Sequence, residues 1–116
     1  MSDIIQYQEL CYDETIVMTK HCKDRCIIRD ISIDDIERAI LNGEIIEDYP
    51  DDTPFPSILI MGYSKMLKSL HVVASTDGEM LYIITAYFPN KDIWEHGRFI
   101  NFFKRNKQYI EKNNLT

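Results

Sequence analysis

The spacing of apolar residues changes from a helical to a strand pattern at Gly43. Before Gly43 the apolar positions of one segment share a single helical face: Ile33, Ile36, Ala39 and Ile40. Ser32 precedes this segment as an N-cap, and Gly43 follows it as a C′ residue. Two weaker helices are predicted at 3–10 and 20–29, with Thr19 as the N-cap of the second. The first half of the chain is therefore predicted to be helical.

After Gly43 the pattern is typical of strands. Four strands are predicted, at 44–49, 57–63, 69–75 and 80–88. The β-branched residues in the Thr15–Met18 stretch predict a short extended segment, and a final amphipathic helix is predicted at 99–110. The pattern predicts an α+β fold in which N-terminal helices pack on a four-stranded, mostly antiparallel sheet, with a C-terminal helix.

The last two strands form a hairpin around Asp77-Gly78, and its register decides which side chains meet. A two-residue turn places His71 opposite Ile84, whereas a one-residue bulge places it opposite Thr85, with Tyr87 on the same face. Both registers remain open. We expect the hairpin to be central and the helix at 32–42 to cover its apolar face, which in the simple register holds these residues: Leu70, Val72, Ala74, Leu81 and Ile83.

Composition indicates one domain over residues 1–116, since 45% of the residues are hydrophobic and 28% are charged. No apolar run approaches the ~20 residues needed to cross a bilayer, and the first residues lack a secretory signal pattern. Three cysteines do not make a disulfide framework, so a cytoplasmic protein is expected. A net charge of −6 argues against non-specific coating of nucleic acid.

His21, Arg25 and Arg29 recur every four residues, so the predicted helix aligns them as one polar stripe. Such a stripe suits a phosphate group, because arginine offers a planar fork and histidine moves protons near neutral pH. The alternative is a solvated surface helix whose arginines pair with nearby acidic residues.

Cys22 and Cys26 lie on a neighbouring part of the same helix. A zinc site would recruit Cys11 and His21 as further ligands, but structural zinc prefers a Cys-x2-Cys spacing. We expect these cysteines to be reduced, buried and metal-free.

Four motifs follow one another along the chain: His21-x3-Arg25-x3-Arg29, Glu47-Asp48-Tyr49-Pro50, His71-Val72-Val73 and Ile84-Thr85-Ala86-Tyr87-x-Pro89. In this order and spacing the chain resembles an uncharacterised bacterial domain family (domain of unknown function 4258) over residues 19–105, with 1–18 as an N-terminal extension. That family is similar to the RelE/BrnT-like toxins of toxin–antitoxin pairs, which are small metal-independent ribonucleases.

The resemblance implies a curved antiparallel sheet and six site residues: His21, Arg25, Arg29, His71, Thr85 and Tyr87. In a metal-free ribonuclease His71 is the implied base, His21 or Tyr87 the acid, and the arginines hold the phosphate. RNA and a cognate antitoxin protein are the expected partners, and no cofactor is expected. The alternative function is a non-catalytic binding module whose basic groove docks a protein partner or a small anion.

Overall fold

The computed structural model describes residues 3–89, which form three helices and five strands. The helices are α1 (Ile4–Tyr12), α2 (Lys20–Ile28) and α3 (Ile33–Asn42). The strands are β1 (Ile16–Met18), β2 (Glu44–Tyr49), β3 (Ser57–Tyr63), β4 (Ser69–Thr76) and β5 (Leu81–Tyr87). Within these residues no helix is long and apolar enough to cross a membrane, since the longest has 10 residues.

The five strands form one mixed sheet with the order β1-β5-β4-β3-β2. The prediction of four mostly antiparallel strands was wrong, because β1 joins the sheet as a fifth strand and runs parallel to β5. This strand is only three residues long, and its partner comes much later in the chain. Local pattern alone does not reveal such a pairing. The helix predicted at 99–110 lies outside the described residues.

The N-cap residues predicted for α2 and α3 cap these helices in the structure. Thr19 accepts a hydrogen bond from the backbone N–H of Cys22, which starts α2. Ser32 and Asp35 form a reciprocal capping box at the start of α3. These side chains satisfy backbone donors that the first turn of a helix leaves unpaired.

Gly43 follows α3 as predicted, but its backbone is extended rather than left-handed. Close packing requires a glycine at this position, because a Cβ atom would lie 2.7 Å from the carbonyl oxygen of Met61. Gly62 on β3 has the same role, because its Cβ would collide with the backbone of Ala39. The two glycines let α3 lie directly on the sheet.

The core lies between the helices and one face of the sheet. Ile36 and Ile40 of α3 are completely buried against β3 and β4, as predicted. All five apolar hairpin residues predicted for this face belong to the core: Leu70, Val72, Ala74, Leu81 and Ile83. Burying each large aliphatic side chain contributes roughly 1.5–3 kcal/mol, so this contact orients α3 on the sheet.

The hairpin register differs from both predicted registers. β4 and β5 are antiparallel, but a four-residue loop joins Thr76 to Leu81 in place of a two-residue turn. Asp77 accepts hydrogen bonds from the backbone N–H groups of Glu79 and Met80 and thereby holds this loop. A bulge next to Val73 then shifts the pairing by one further residue.

Candidate functional site

The face of the sheet opposite α3, called here the second face, carries the polar residues of the hairpin. The register pairs His71 with Tyr87 and Val73 with Thr85. Side chains of directly opposed residues share a face, and the alternating neighbours Val72 and Ala86 belong to the core. The bulge therefore brings His71, Thr85 and Tyr87 together, although neither predicted register had His71 opposite Tyr87.

His71 and Tyr87 form a buried pair on this second face. The His71 Nδ1 and Tyr87 Oη atoms are 3.4 Å apart, and the two rings meet edge to face with centroids 5.3 Å apart. His71 is 0% exposed and Tyr87 is 2% exposed. Burial lowers the pKa of His71 to about 4 and raises the pKa of Tyr87 above its ordinary value. At neutral pH the imidazole of His71 is therefore neutral and the phenol of Tyr87 is protonated. One proton can then be transferred over a short distance, from Tyr87 Oη to His71 Nδ1.

Arg29 is the C-cap residue of α2 and reaches over to β5. Its Nη1 atom donates to the Ala86 carbonyl oxygen at 3.0 Å and to Thr85 Oγ1 at 3.4 Å. Its Nη2 atom is buried and has no hydrogen-bond partner among residues 3–89. Burial and the neighbouring charge of Arg25 lower the pKa of Arg29. The charge of Arg29 in turn acts on Tyr87, where it opposes the effect of burial on the phenol pKa.

Arg25 lies close enough to Arg29 for their charges to interact, whereas His21 lies apart from both the hairpin and Arg29. Arg25 is half-buried one turn before Arg29, and their charges interact. His21 is exposed in the first turn of α2. Eight residues of helix separate it from Arg29, which corresponds to about 12 Å along the axis. The predicted stripe thus exists on α2, but only its C-terminal half approaches the hairpin.

Tyr49 is a member of the group that was not predicted as a site residue. It ends β2, and its charge interaction with Tyr87 raises the phenol pKa of Tyr87. Burial, then Glu47 and Asp52, raise the pKa of Tyr49 itself, so this phenol stays protonated at neutral pH. The motif Glu47-Asp48-Tyr49-Pro50 contributed to the family resemblance, and it was the signal that could have identified this residue. We call Arg29, Tyr49, His71, Thr85 and Tyr87 the polar cluster.

The cysteines lie in the core, where Cys22 and Cys26 interact electrostatically with Arg29 of the polar cluster. Cys11, Cys22 and Cys26 are free and buried. A hydrogen bond joins the side chains of Cys22 and Cys26, and together with burial it raises the pKa of Cys22. No group of three or more histidine, cysteine or acidic residues within 3–89 is arranged to hold a metal ion.

Comparison with known proteins identifies a domain family but no activity. Residues 18–88 match the family model described as Domain of unknown function (DUF4258). No curated protein and no solved structure matches the chain. The matched segment runs from the end of β1 to just beyond β5 and includes every residue of the polar cluster.

Proposed function

The chain belongs to this family, DUF4258, and we propose that it binds RNA phosphates at Arg25 and Arg29 and cleaves the strand in a metal-independent reaction. One observation carries the proposal. Arg29 is a partly buried cation whose hydrogen-bond partners among residues 3–89, Thr85 and Ala86, are both neutral. No carboxylate within residues 3–89 forms a salt bridge with it.

A phosphate would resolve the electrostatics of this arrangement. The charge of Arg25 lowers the pKa of Arg29, so an anion bound beside Arg29 would stabilise its charged form. The unpaired Nη2 of Arg29 is a donor suited to one oxygen of that anion. Thr85 adds a hydroxyl next to the same guanidinium. These features favour a phosphodiester over an uncharged ligand.

The His71–Tyr87 pair supplies the proton transfer that strand cleavage requires. In the proposed reaction the ribose 2′-oxygen attacks the phosphorus, and its proton passes to Tyr87 Oη as the phenol proton moves to His71 Nδ1. The bond to the 5′-oxygen breaks, and that oxygen takes a proton from water. The hydroxide formed is neutralised when the proton on His71 Nδ1 returns to solvent through Tyr87 Oη. The products are a 2′,3′-cyclic phosphate and a free 5′-hydroxyl. Arg25 and Arg29 stabilise the charge that develops on the phosphoryl oxygens.

This assignment changes two of the implied roles. His71 is completely buried, so it acts behind Tyr87 as a proton acceptor and positioning residue rather than touching the RNA. His21 lies too far along α2 to protonate the leaving oxygen. Within the His71–Tyr87 pair, Tyr87 is the residue whose pKa, raised by burial, is lowered in part by the charge of Arg29.

A second candidate, a non-catalytic binding module, is favoured by the burial of the pair. Tyr87 is only 2% exposed, whereas Arg25 and Arg29 are more accessible. An anion can therefore reach the guanidinium groups without reaching the phenol. In that case the same surface holds a phosphate or an acidic partner and no bond is broken.

One experiment separates the two candidates. A labelled single-stranded RNA and the DNA of the same sequence are incubated with the purified chain in EDTA, and binding is followed by fluorescence anisotropy and cleavage by gel electrophoresis. The ribonuclease proposal expects both strands to bind and only RNA to be cut, since DNA lacks the 2′-hydroxyl. Tyr87→Phe should reduce cleavage about 100-fold and leave binding intact.

Arg25→Gln should weaken both binding and cleavage, and Lys65→Gln is its matched control. Lys65 is an exposed cation in the β3–β4 loop, and its backbone N–H donates a hydrogen bond to Asp35 Oδ1 at the start of α3. Binding without cleavage would establish the binding module. If neither strand binds, or if both variants lose binding equally, the site is not at Arg25 and Arg29.

A further inference from the structure

β1 is an edge strand whose outward backbone groups have no partner within residues 3–89. It is the first strand in the order β1-β5-β4-β3-β2. The Thr15 carbonyl oxygen accepts a hydrogen bond from the Leu81 N–H at 3.0 Å, so it points towards β5. Backbone groups alternate in direction along a strand, and therefore the N–H and C=O groups of Ile16 and Met18 point away from the sheet. Such an edge is a template for another strand.

An apolar groove of about 670 Å³ lies beside this edge. Most of its lining is apolar and comes from β1, α2 and the residues around the start of α3: Ile16, Val17, Met18, Cys26, Ile27, Ile31 and Ile33. Two neighbouring isoleucines of α2 are unusually exposed, Ile27 at 76% and Ile28 at 73%. Exposed aliphatic residues that continue a groove mark a contact surface.

The sequence around β1 is complementary to itself when it is reversed. Thr15 and Thr19 are equivalent about Val17, and so are Ile16 and Met18. The acidic Asp13 and Glu14 precede this stretch, whereas the basic Lys20 and titratable His21 follow it. Antiparallel pairing of two identical stretches therefore sets the acidic end of each against the basic end of the other. Parallel pairing would instead set like charges together.

We propose that two copies of this chain associate through β1, antiparallel about a two-fold axis at Val17. Ile16 would then oppose Met18 of the partner subunit, and each such pair exchanges two hydrogen bonds. The two-fold axis generates two of these pairs. The outward groups of Ile16 and Met18 are the ones this register needs, and the two five-stranded sheets become one continuous sheet. A C2 interface of this kind requires a self-complementary surface, which the charge pattern provides.

The groove accounts for the apolar part of the interface. A three-residue strand pairing is too short to hold two proteins together alone. Ile16 and Met18 pack on the core side of the sheet, next to the groove and to Ile27. Pairing at β1 would bring the same side chains of the partner subunit to this groove, so the exposed isoleucines would lose contact with water.

Analytical ultracentrifugation of the full chain over a wide concentration range tests the proposal, and a dimer is expected. Val17→Glu should raise the dissociation constant at least about tenfold, because it places two like charges face to face at the axis. Val17 is partly exposed, so the fold should survive, as a thermal melt will show. Met66→Glu is the matched control, since Met66 is 77% exposed in the β3–β4 loop.

Two further variants report the register. Glu14→Lys and Lys20→Glu should each weaken the dimer, and the double variant should restore it, since exchanging both charges restores the pairing of opposites. Val17→Cys should form a disulfide between subunits under mild oxidation, because Cα atoms of such a pair lie about 4.5 Å apart.

A monomer at every concentration would overturn the proposal. So would a dimer that Val17→Glu leaves intact, which would place the interface on another surface. Failure of the double charge exchange to restore dimerisation, with no disulfide at Val17→Cys, would exclude antiparallel pairing about Val17. Binding of an unrelated strand at this edge in place of a second copy would equally refute self-association.

Discussion

Acidification should destabilise this domain through His71, because burial favours the neutral form of its imidazole in the folded state. Burial lowers its pKa to about 4 from an ordinary value of 6.5, which is the value expected in the unfolded chain. Between these two pKa values the unfolded chain binds more protons than the folded one, so stability falls as pH falls. The contribution is fully present above the unfolded pKa and is lost progressively as the pH approaches the folded pKa.

The size of the effect follows from the shift. A shift from 6.5 to about 4 corresponds to about 3 kcal/mol once the pH is below both pKa values, and to about 2 kcal/mol near pH 5. That is a large share of the roughly 5–15 kcal/mol by which a small domain is stable. Tyr87 and Arg29 do not offset the cost, since one is a neutral phenol and the other carries positive charge.

The assay is urea denaturation followed by far-UV circular dichroism at several pH values, for the natural chain and for His71→Gln. Carboxylates titrate in both proteins, so the difference between their unfolding free energies isolates His71. From about pH 7 to about pH 5 this difference should move by about 2 kcal/mol in favour of the variant. His21→Gln is the matched control, because His21 is exposed. The difference in unfolding free energy between the natural chain and His21→Gln should not change with pH over this range. Parallel pH dependence of the natural chain and His71→Gln would show that His71 is not buried in its neutral form.

Substitutions at three further positions test the packing and the caps by the same denaturation assay at neutral pH. Gly62→Ala should cost about 3 kcal/mol because its Cβ meets the backbone of Ala39, and no loss would mean that α3 lies further from β3. Ile40→Ala should cost about 2–5 kcal/mol, since this side chain is fully buried. Ser32→Ala should cost about 1 kcal/mol through the lost cap, whereas Ser32→Asp should retain most of it.

The candidate site was predictable in its residue types but only partly in its geometry. Arg29, His71, Thr85 and Tyr87 were predicted site residues, and the structure brings them together. His21 was predicted with them because a helical stripe aligns residues over several turns, but a stripe longer than two turns cannot converge on one point. Similarity to the RelE-like toxins stays a prediction, since the family match assigns no activity.

By itself, the sequence determined the features whose causes are local. Capping residues at Thr19 and Ser32 set where α2 and α3 begin, and apolar periodicity set which face of α3 is buried. Alternation placed β2 to β5 within one or two residues of their observed bounds. In each case the residues that decide the structure lie within a few positions of one another, so their pattern is visible along the chain.

Only the tertiary structure decided the features that join distant segments. The parallel pairing of β1 with β5 depends on packing across most of the chain, and nothing within three residues of strand encodes it. The hairpin register was decided by the loop held by Asp77 and by the bulge at Val73, which together bring His71 opposite Tyr87. Because side chains alternate between faces, each one-residue shift in pairing exchanges the residues that meet. The sequence therefore specifies the residue types of the candidate site, and tertiary packing determines which of these side chains are in contact.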